Sequence, residues 1–384
     1  MSFQGYRRQD GSVGTRNYVG IISTVSCAND VAWWISQEVK GSVPFVHGQG
    51  CAQTRPDLDQ VTRTLISLGW NPNLAGVLIV SLGCEAVLAD QIAAGIADSG
   101  KPVEMVVIQK MGGAKTAVAR GSSLAEAMVA EASTLRREEF ADSELVLGVK
   151  CGASDTTSGL AANPAAGATC DLLIDNGGTC IFGETTEFIG AEHILVRRAA
   201  THQVAEKIMN IVARMEKRAI AMGFDMRGGQ PTTGNIAGGL TTIEEKSLGA
   251  IVKGGSKPIQ EVYEYGERPQ SKGLFIVDTP GREPEFLTAL AAAGAQGIVF
   301  TTGLGAPQGF PFIPVIKVTA NPTTYERLSD HLDMLVNLTG HTDFAETGRT
   351  LYQEIIKVAS GKQTKAEILN YGNFPNIFTI GPII

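Results

Sequence analysis

Residues 75–100, AGVLIVSLGCEAVLADQIAAGIADSG, hold the pattern that decides the architecture. An apolar run without charges, AGVLIVSLG, leads through Cys84 and Glu85 into a helical pattern. A strand with no polar alternation has no wet face, so it belongs to a parallel sheet covered by helices on both sides. The unit recurs on either side of this stretch. NYVGIIST precedes CANDVAWWISQEVK, VPFVHG precedes RPDLDQVTRTLISLGW, and VEMVVIQ precedes a helical run from Ala114 to Phe140. The charged stretch LRREEFADSE closes this half. A second half opens with ELVLGVKCG and continues through a long helical pattern at 193–223. GLFIVDTPG, helix EPEFLTALAAAG, strands GIVFTTG and FIPVIKVTA, and helix TTYERLSDHLDMLV follow. The expectation is an α/β protein of two Rossmann-like parallel-sheet domains, 1–143 and 144–384. The tail NYGNFPNIFTIGPII reads equally as an edge strand or a loose end.

At 384 residues the chain suits two domains of ordinary size. Its 43% hydrophobic and 18% charged content is that of a globular protein. A net charge of −7 argues against nucleic acid or an anionic membrane as partner. The start, MSFQGYRRQDGS, has no apolar signal region, and no apolar string is long enough to span a bilayer. The expected location is cytoplasmic, which keeps the cysteines reduced. The 45 glycines cluster in loops beside polar residues, as in an enzyme whose site is built from loops.

Four of the six cysteines fall at predicted strand ends: Cys27 after IISTVS, Cys51 after FVHGQG, Cys84 after VLIVSLG and Cys151 after LVLGVK. Ligands of open parallel sheets bind outside those ends. Any one of the four reads as readily as a buried core thiol. As a set, with glycine beside three of them, they suit a metal site with one open position. Soft thiolates select iron–sulfur clusters, zinc or copper(I), and no CxxC spacing indicates a zinc knuckle. Cys170 and Cys180 lie within a helix and a strand and read as core. His47, next to glycine at a strand end, is a candidate acid–base group or ligand, or the partner of a Cys51 nucleophile. His193, His202, His331 and His341 read as solvent-facing.

The loop CGASDTTSGLAANPAAG, 151–167, is dense in small polar groups. Asn163–Pro164 resembles a helix cap with a first-turn proline, a start that suits a carboxylate or phosphate. A capped turn without a ligand explains it as simply. Thr242 and Glu245 have capping-box spacing. FTTGLGAPQGF, 300–310, matches neither dinucleotide nor Walker patterns, which excludes NAD and ATP sites of those kinds.

With these stretches assembled, the chain resembles the altronate/galactarate dehydratase family of sugar-acid dehydratases. The resemblance is carried by GYRRQDGSVGTRNYV, HGQGCAQ, SLGCE, CGASDTTSGLAANPAAG, GGTCIFGETTEFIGAE, GNIAGGLTTIEEKSLGAIVKGG and FTTGLGAPQGFPFIPVIKV, in order along nearly all the chain. It implies a hydro-lyase that removes water from a sugar acid such as altronate or galactarate, with dependence on ferrous iron. A sister branch, sulfolactate sulfo-lyase, expels sulfite. Family enzymes often carry a small SAF-type domain before the GYRRQDG-like segment. Here that segment begins at Gly5, so a separate small subunit is the expected partner, alongside a homo-oligomer of the large one. SDHLDMLVNLTG departs from an aspartate-rich stretch of the family: Asp333 is retained and His331 stands where an aspartate is usual.

For α,β-elimination a base takes the C2 proton while an acid assists the C3 leaving group, and a metal bound by carboxylate and hydroxyl lowers both barriers. The expected metal ligands are Cys51, Cys84 and Cys151, with Cys27 in reserve. They would hold an iron–sulfur cluster or a ferrous ion, the latter with Glu85 or Asp155 as oxygen ligands. His47 is the first candidate base, with Lys150 and Glu184 behind it. Arg16 and Asn17 of the GTRN turn, with Ser154, Asp155 and Ser158, are the expected substrate-binding groups. Two rivals are a sulfolactate sulfo-lyase large subunit and a catalytically inactive sugar-acid-binding subunit.

Overall fold

A computed structural model of the chain describes residues 1–338, 343–372 and 375–384. The strands are β1 (Ser2–Arg7), β2 (Val13–Gly14), β3 (Tyr18–Ser23), β4 (Ser42–Phe45), β5 (Leu74–Ser81), β6 (Val103–Val107) and β7 (Glu138–Ala141). After these come β8 (Val146–Gly152), β9 (Thr179–Phe182), β10 (Ile259–Tyr263), β11 (Gly273–Val277), β12 (Gly297–Thr302), β13 (Val315–Thr319) and β14 (Met334–Leu335). Two parallel sheets result, as the apolar runs require: β4-β3-β5-β6 and β10-β11-β9-β8-β12-β13-β14. In the larger sheet the chain steps from β8 outward through β9, then returns to lay β12 on the other side of β8. The crevice at the carboxyl ends of β8 and β12 is therefore a topological switch point, the usual ligand position in such sheets.

The smaller sheet lies within 1–143 and the larger within 144–384, yet one apolar core joins them. Helix Arg55–Gly69 from the first half packs on helix Glu283–Ala292 from the second. The latter is buried from Glu285 to Ala292, because LTALAAA presents small apolar groups all round and can sit between two layers. Asn71 donates to the carbonyls of Ala291 and Ala295, and Asn73 to those of Gln296 and Phe312. Buried carboxamides thus satisfy backbone groups across the seam.

Several elements differ from the sequence pattern. The helix starting at Ala114 ends at Ala132, and residues 138–141 form β7, paired antiparallel with β1. Periodicity cannot foresee a partner supplied by the amino terminus. The pattern at 193–223 divides into Glu192–Val196 and His202–Ala221. Between them Arg198 and Ala200 bond to Ile259, and Thr201 caps the second helix. The helix at 322 stops at Arg327. Asp333 then accepts from the amides of Lys317 and Lys365, holding the segment against β13. The tail is anchored by Asp57, which accepts from the amides of Ile380 and Gly381.

The GTRN turn serves the fold. Arg16 makes a two-pronged pair with Glu367, at 2.6 and 2.8 Å, and donates to the carbonyls of Val358 and Lys362. Asn17 donates to the Ala132 carbonyl and accepts from Arg8. Both immediately precede β3, at the amino edge of its sheet, opposite Cys27. Arg16→Met should lower the unfolding free energy by about 1.5–3 kcal/mol, since half-buried Glu367 would lose its two-pronged partner. Urea denaturation measures this; wild-type stability with weakened substrate binding would return Arg16 to the ligand.

Candidate active site

Three thiols meet solvent at the carboxyl edge of the smaller sheet. Cys27 follows β3, Cys51 follows β4 and Cys84 follows β5, and all three are exposed. Their loops are bonded to one another. The Ser26 amide donates to the Gln49 carbonyl, and the Ala86 amide to that of Gly50. Gly50 has φ +107°, and a Cβ there would lie 2.2 Å from the Thr24 carbonyl oxygen, so only glycine lets these two loops close. Glu85 accepts from Ser81, Thr24 and the Gly83 amide. Burial opposes its charge, but these donors hold the carboxyl below its usual range.

His47 is buried on this edge with both ring nitrogens engaged. Nε2 lies 2.9 Å from the Ser23 carbonyl and Nδ1 accepts from the Gln49 amide, which fixes the neutral Nε2–H tautomer. Asn29 brackets the same residue, donating to its carbonyl and accepting from its amide.

Cys151 parts from the other three. It lies in β8, fully buried, with Ser154 Oγ at 2.9 Å and Asn163 Nδ2 at 3.4 Å from its sulfur. Burial and the Glu187 carboxylate push its thiol above the usual value. Cys170 and Cys180 are core, as expected. Among the described residues no three His, Cys, Asp or Glu side chains converge on a point that could hold a single metal ion.

Lys150 and Glu184, each a candidate base behind His47 in the sequence, are in contact at 2.6 Å and fully buried. They begin a chain. Glu184 also meets Lys253 at 2.8 Å and accepts from the Cys151 amide; Lys253 reaches Glu187 at 3.4 Å, and Glu187 reaches Lys246 at 3.6 Å. At the other end Glu283 lies 3.8 Å from Lys150. Burial opposes the ammonium groups of Lys150 and Lys253, yet the glutamates hold both above the usual lysine value. Burial and Glu187 push the Glu184 carboxyl up against the pull of its two lysines. Glu184 takes a left-handed backbone, φ 70°, ψ 59°. Ala52 and Ala153, beside two of the cysteine loops, share that strain, which concentrates at functional sites.

At the switch point, Asp155 accepts from Thr157 and from the amide and hydroxyl of Ser158 through one oxygen, and from Asn321 through the other. Asp155, not Asn163, therefore caps this helix. A π-helical turn, Ser158–Ala162, continues it into helix Asn163–Asp175. The wide turn accommodates Pro164, which has no amide to donate. Asn163 is buried, donating to the Gly249 carbonyl and accepting from Thr301. Ser154, Asp155, Ser158 and Asn163 line a cavity of about 300 Å³ with Leu160, Leu240, Leu248 and Lys246. Gly303, after β12, closes on the same carboxylate: a Cβ there would lie 2.2 Å from Asp155.

The sequence reading missed Glu187, Lys246, Lys253, Asn321 and Lys317. Lys317 is fully buried with its ammonium 3.8 Å from the Phe300 ring centre, and burial pushes it well below the usual lysine value. Thr242 caps its helix, but Glu245 turns to Thr241 rather than completing a box. His193 and His202 are exposed, whereas His331 is packed, 3.2 Å from the Gly305 carbonyl. His341 lies outside the described residues.

Comparison with known proteins matches residues 142–381 to the C-terminal domain of D-galactarate/altronate dehydratase, and residues 5–133 to the second domain of D-galactarate dehydratase/altronate hydrolase. The chain belongs to this dehydratase family. A (2R)-sulfolactate sulfo-lyase subunit beta of Chromohalobacter salexigens is 39% identical, over 97% of this chain and 96% of its own length. An altronate dehydratase of Bacillus subtilis is 35% identical over 95% of this chain and 75% of its own. A galactarate dehydratase (L-threo-forming) of Escherichia coli is 35% identical over 94% and 73%. All are lyases, and so is this chain. Among the described residues no helix is long and apolar enough to cross a membrane.

The environment of His47 makes stability depend on pH. Burial pushes its pKa down to about 4, against about 6.5 in the unfolded chain. The unfolded state therefore binds more protons between those values, and stability present above pH 6.5 is lost as pH falls toward 4. His47 alone accounts for up to about 3 kcal/mol of that loss. Urea unfolding at pH 7 and 4.5 should show it in wild type and a smaller drop in His47→Gln; equal drops would mean that His47 is not held neutral.

Proposed function

We propose that this chain is the large subunit of a cytoplasmic hydro-lyase that removes water from a sugar acid such as altronate or galactarate by α,β-elimination. Family membership through both halves carries the reading. A family-typical loop and cavity at the carboxyl ends of β8 and β12 support it, because that is where a small ligand enters such a sheet. Ser154 and Ser158 offer hydroxyls to a polyhydroxy acid, and Asp155, fixed from four sides, orients one of its hydroxyl groups. Lys150 and Glu184 are sealed behind this wall and neither nitrogen of His47 is free to accept a proton, so the pair serves by holding the edge of the cavity in place rather than by touching the substrate. A separate small SAF-type subunit completes the enzyme, which assembles as a homo-oligomer of the large chain.

Iron is the proposed cofactor, held by Cys27, Cys51 and Cys84 rather than by the buried Cys151. Three exposed thiols on mutually bonded loops would hold a cluster, since soft thiolates select iron–sulfur centres. Such a cluster would supply Lewis-acid polarisation of the leaving group.

A second reading is favoured by one observation: the sulfo-lyase subunit is 39% identical to this chain, whereas the Bacillus subtilis and Escherichia coli dehydratases named above are each 35% identical. In that case the leaving group is sulfite from a hydroxy-sulfonate. Anaerobically purified protein, with whatever small chain accompanies it, should form a 2-keto-3-deoxy acid from altronate or galactarate. Sulfite release from sulfolactate without that product would decide for the second reading. Iron and acid-labile sulfide should be lost in Cys84→Ala and retained in Cys151→Ala. The reverse pattern would move the cofactor to the larger sheet.

A further inference from the structure

We infer that Lys246 is the residue that anchors the acidic head group of the substrate, and that Glu187, itself held by Lys253, is the positioning residue that holds its ammonium at the cavity wall. Lys246 is the cation on the wall of the Asp155 cavity among the described residues, and its side chain keeps 15% exposure there. Its companions on the ion chain are sealed: Lys150, Glu184 and Lys253 are at 0% and Glu187 at 7%. The inner contacts are tight, 2.6 and 2.8 Å at Glu184, while the outermost, Lys246 to Glu187, is 3.6 Å. A Gln230 carboxamide oxygen stands 3.4 Å from the same ammonium. Three lysines thus share two interior glutamates, and the least committed of the three faces the cavity. Glu283, the remaining carboxylate, meets the opposite end at Lys150.

A fixed ammonium in a partly dry pocket attracts an anion more strongly than a mobile one on the surface, because it needs little reorganisation to bind. The rest of the wall defines the rest of the ligand. Ser154 and Ser158 offer hydroxyl oxygens, Leu160, Leu240 and Leu248 face a short carbon skeleton, and about 300 Å³ suits a small acid. The carboxylates of Asp155 and Glu245 on the same wall are already engaged, by Thr157, Ser158 and Asn321 and by Thr241 respectively. The ligand class is a small hydroxylated organic anion, carboxylate or sulfonate. Its identity rests on the lyase reading; the anion anchor itself does not.

Calorimetric titration of the anaerobically purified protein with galactarate, altronate, sulfolactate and uncharged galactitol tests this, with turnover measured in parallel. Lys246→Met should weaken binding of the preferred anion by about 10- to 100-fold, the loss of one charge-assisted hydrogen bond. Galactitol binding should be unchanged. KM should rise with little change in kcat, and Lys246→Arg should restore most of the affinity. Glu187→Gln should weaken the anion by a smaller factor. Wild-type anion affinity in Lys246→Met, or equal loss of anion and galactitol, overturns the anchor, as does wild type that binds none of the anions. Wild type that binds through Lys246 but forms no product leaves the anchor standing and removes the hydro-lyase reading. Dehydration with an unchanged KM in Lys246→Met does the opposite.

Discussion

The chain of charges from Lys150 through Glu184, Lys253 and Glu187 to Lys246 is the constraint on which the larger sheet's carboxyl edge depends. Burying one unpaired ion costs several kcal/mol, so each interior member must have more than one partner. Glu184 has three: Lys150, Lys253 and the Cys151 amide. Because that amide is bonded, the end of β8 cannot shift without breaking the chain. The Cys151–Ser158 loop, the Asp155 cap and the cavity beneath it follow from that position. The left-handed backbone of Glu184 is tolerated for the same reason, since it turns the carboxylate back toward two lysines.

The smaller sheet is tied to this edge through a shared core rather than a flexible linker. Helix Glu283–Ala292 begins with a carboxylate near Lys150 and runs into the packing against helix Arg55–Gly69. Glu285, at its start, accepts from Asn376 of the tail, and Asn376 in turn approaches Gly48 in the His47 loop. The tail then crosses to Asp57 and pairs its end with the Gln53 region. The thiol loops and the lysine chain therefore belong to one packed body, although they arise from different sheets.

What the sequence disclosed follows from what is local. Unbroken apolar runs such as VLIVS and LVLGV can only be covered strands, and they are. Lys150 and Glu184 were legible as separate candidates because each lies near the carboxyl end of a strand inside a recognisable stretch; their contact was not. Lys253, Glu187 and Lys246 were not, because lysine and glutamate in a helical, glycine-rich segment read as a solvated face. Only the fold turns that face inward. Arg16 and Asn17 misled in the opposite sense: the residues that occupy them, Glu367 and Ala132, lie far away in sequence, and no local pattern reveals them. His47 was found at the right edge, but whether its nitrogens are free depends on Ser23 and Gln49 backbone geometry.

The separation of Cys151 from the other cysteines shows how little a shared local context fixes. Cys51, Cys84 and Cys151 all have glycine at hand, and the sequence pattern puts all three at strand ends. Two stand on loops beyond the sheet, where a thiolate is solvated and can meet a soft metal. The third sits within β8 between Ser154 and Asn163, where burial and the neighbouring carboxylates oppose thiolate formation. There its amide matters more than its sulfur, because the amide holds Glu184. The two edges accordingly offer different chemistry: soft sulfur donors on the smaller sheet, and hard oxygen and ammonium groups on the larger. Elimination from a hydroxylated acid makes both demands, a polarised leaving group and a held anion. A common core fixes one edge against the other, so both kinds of group are carried by one packed body.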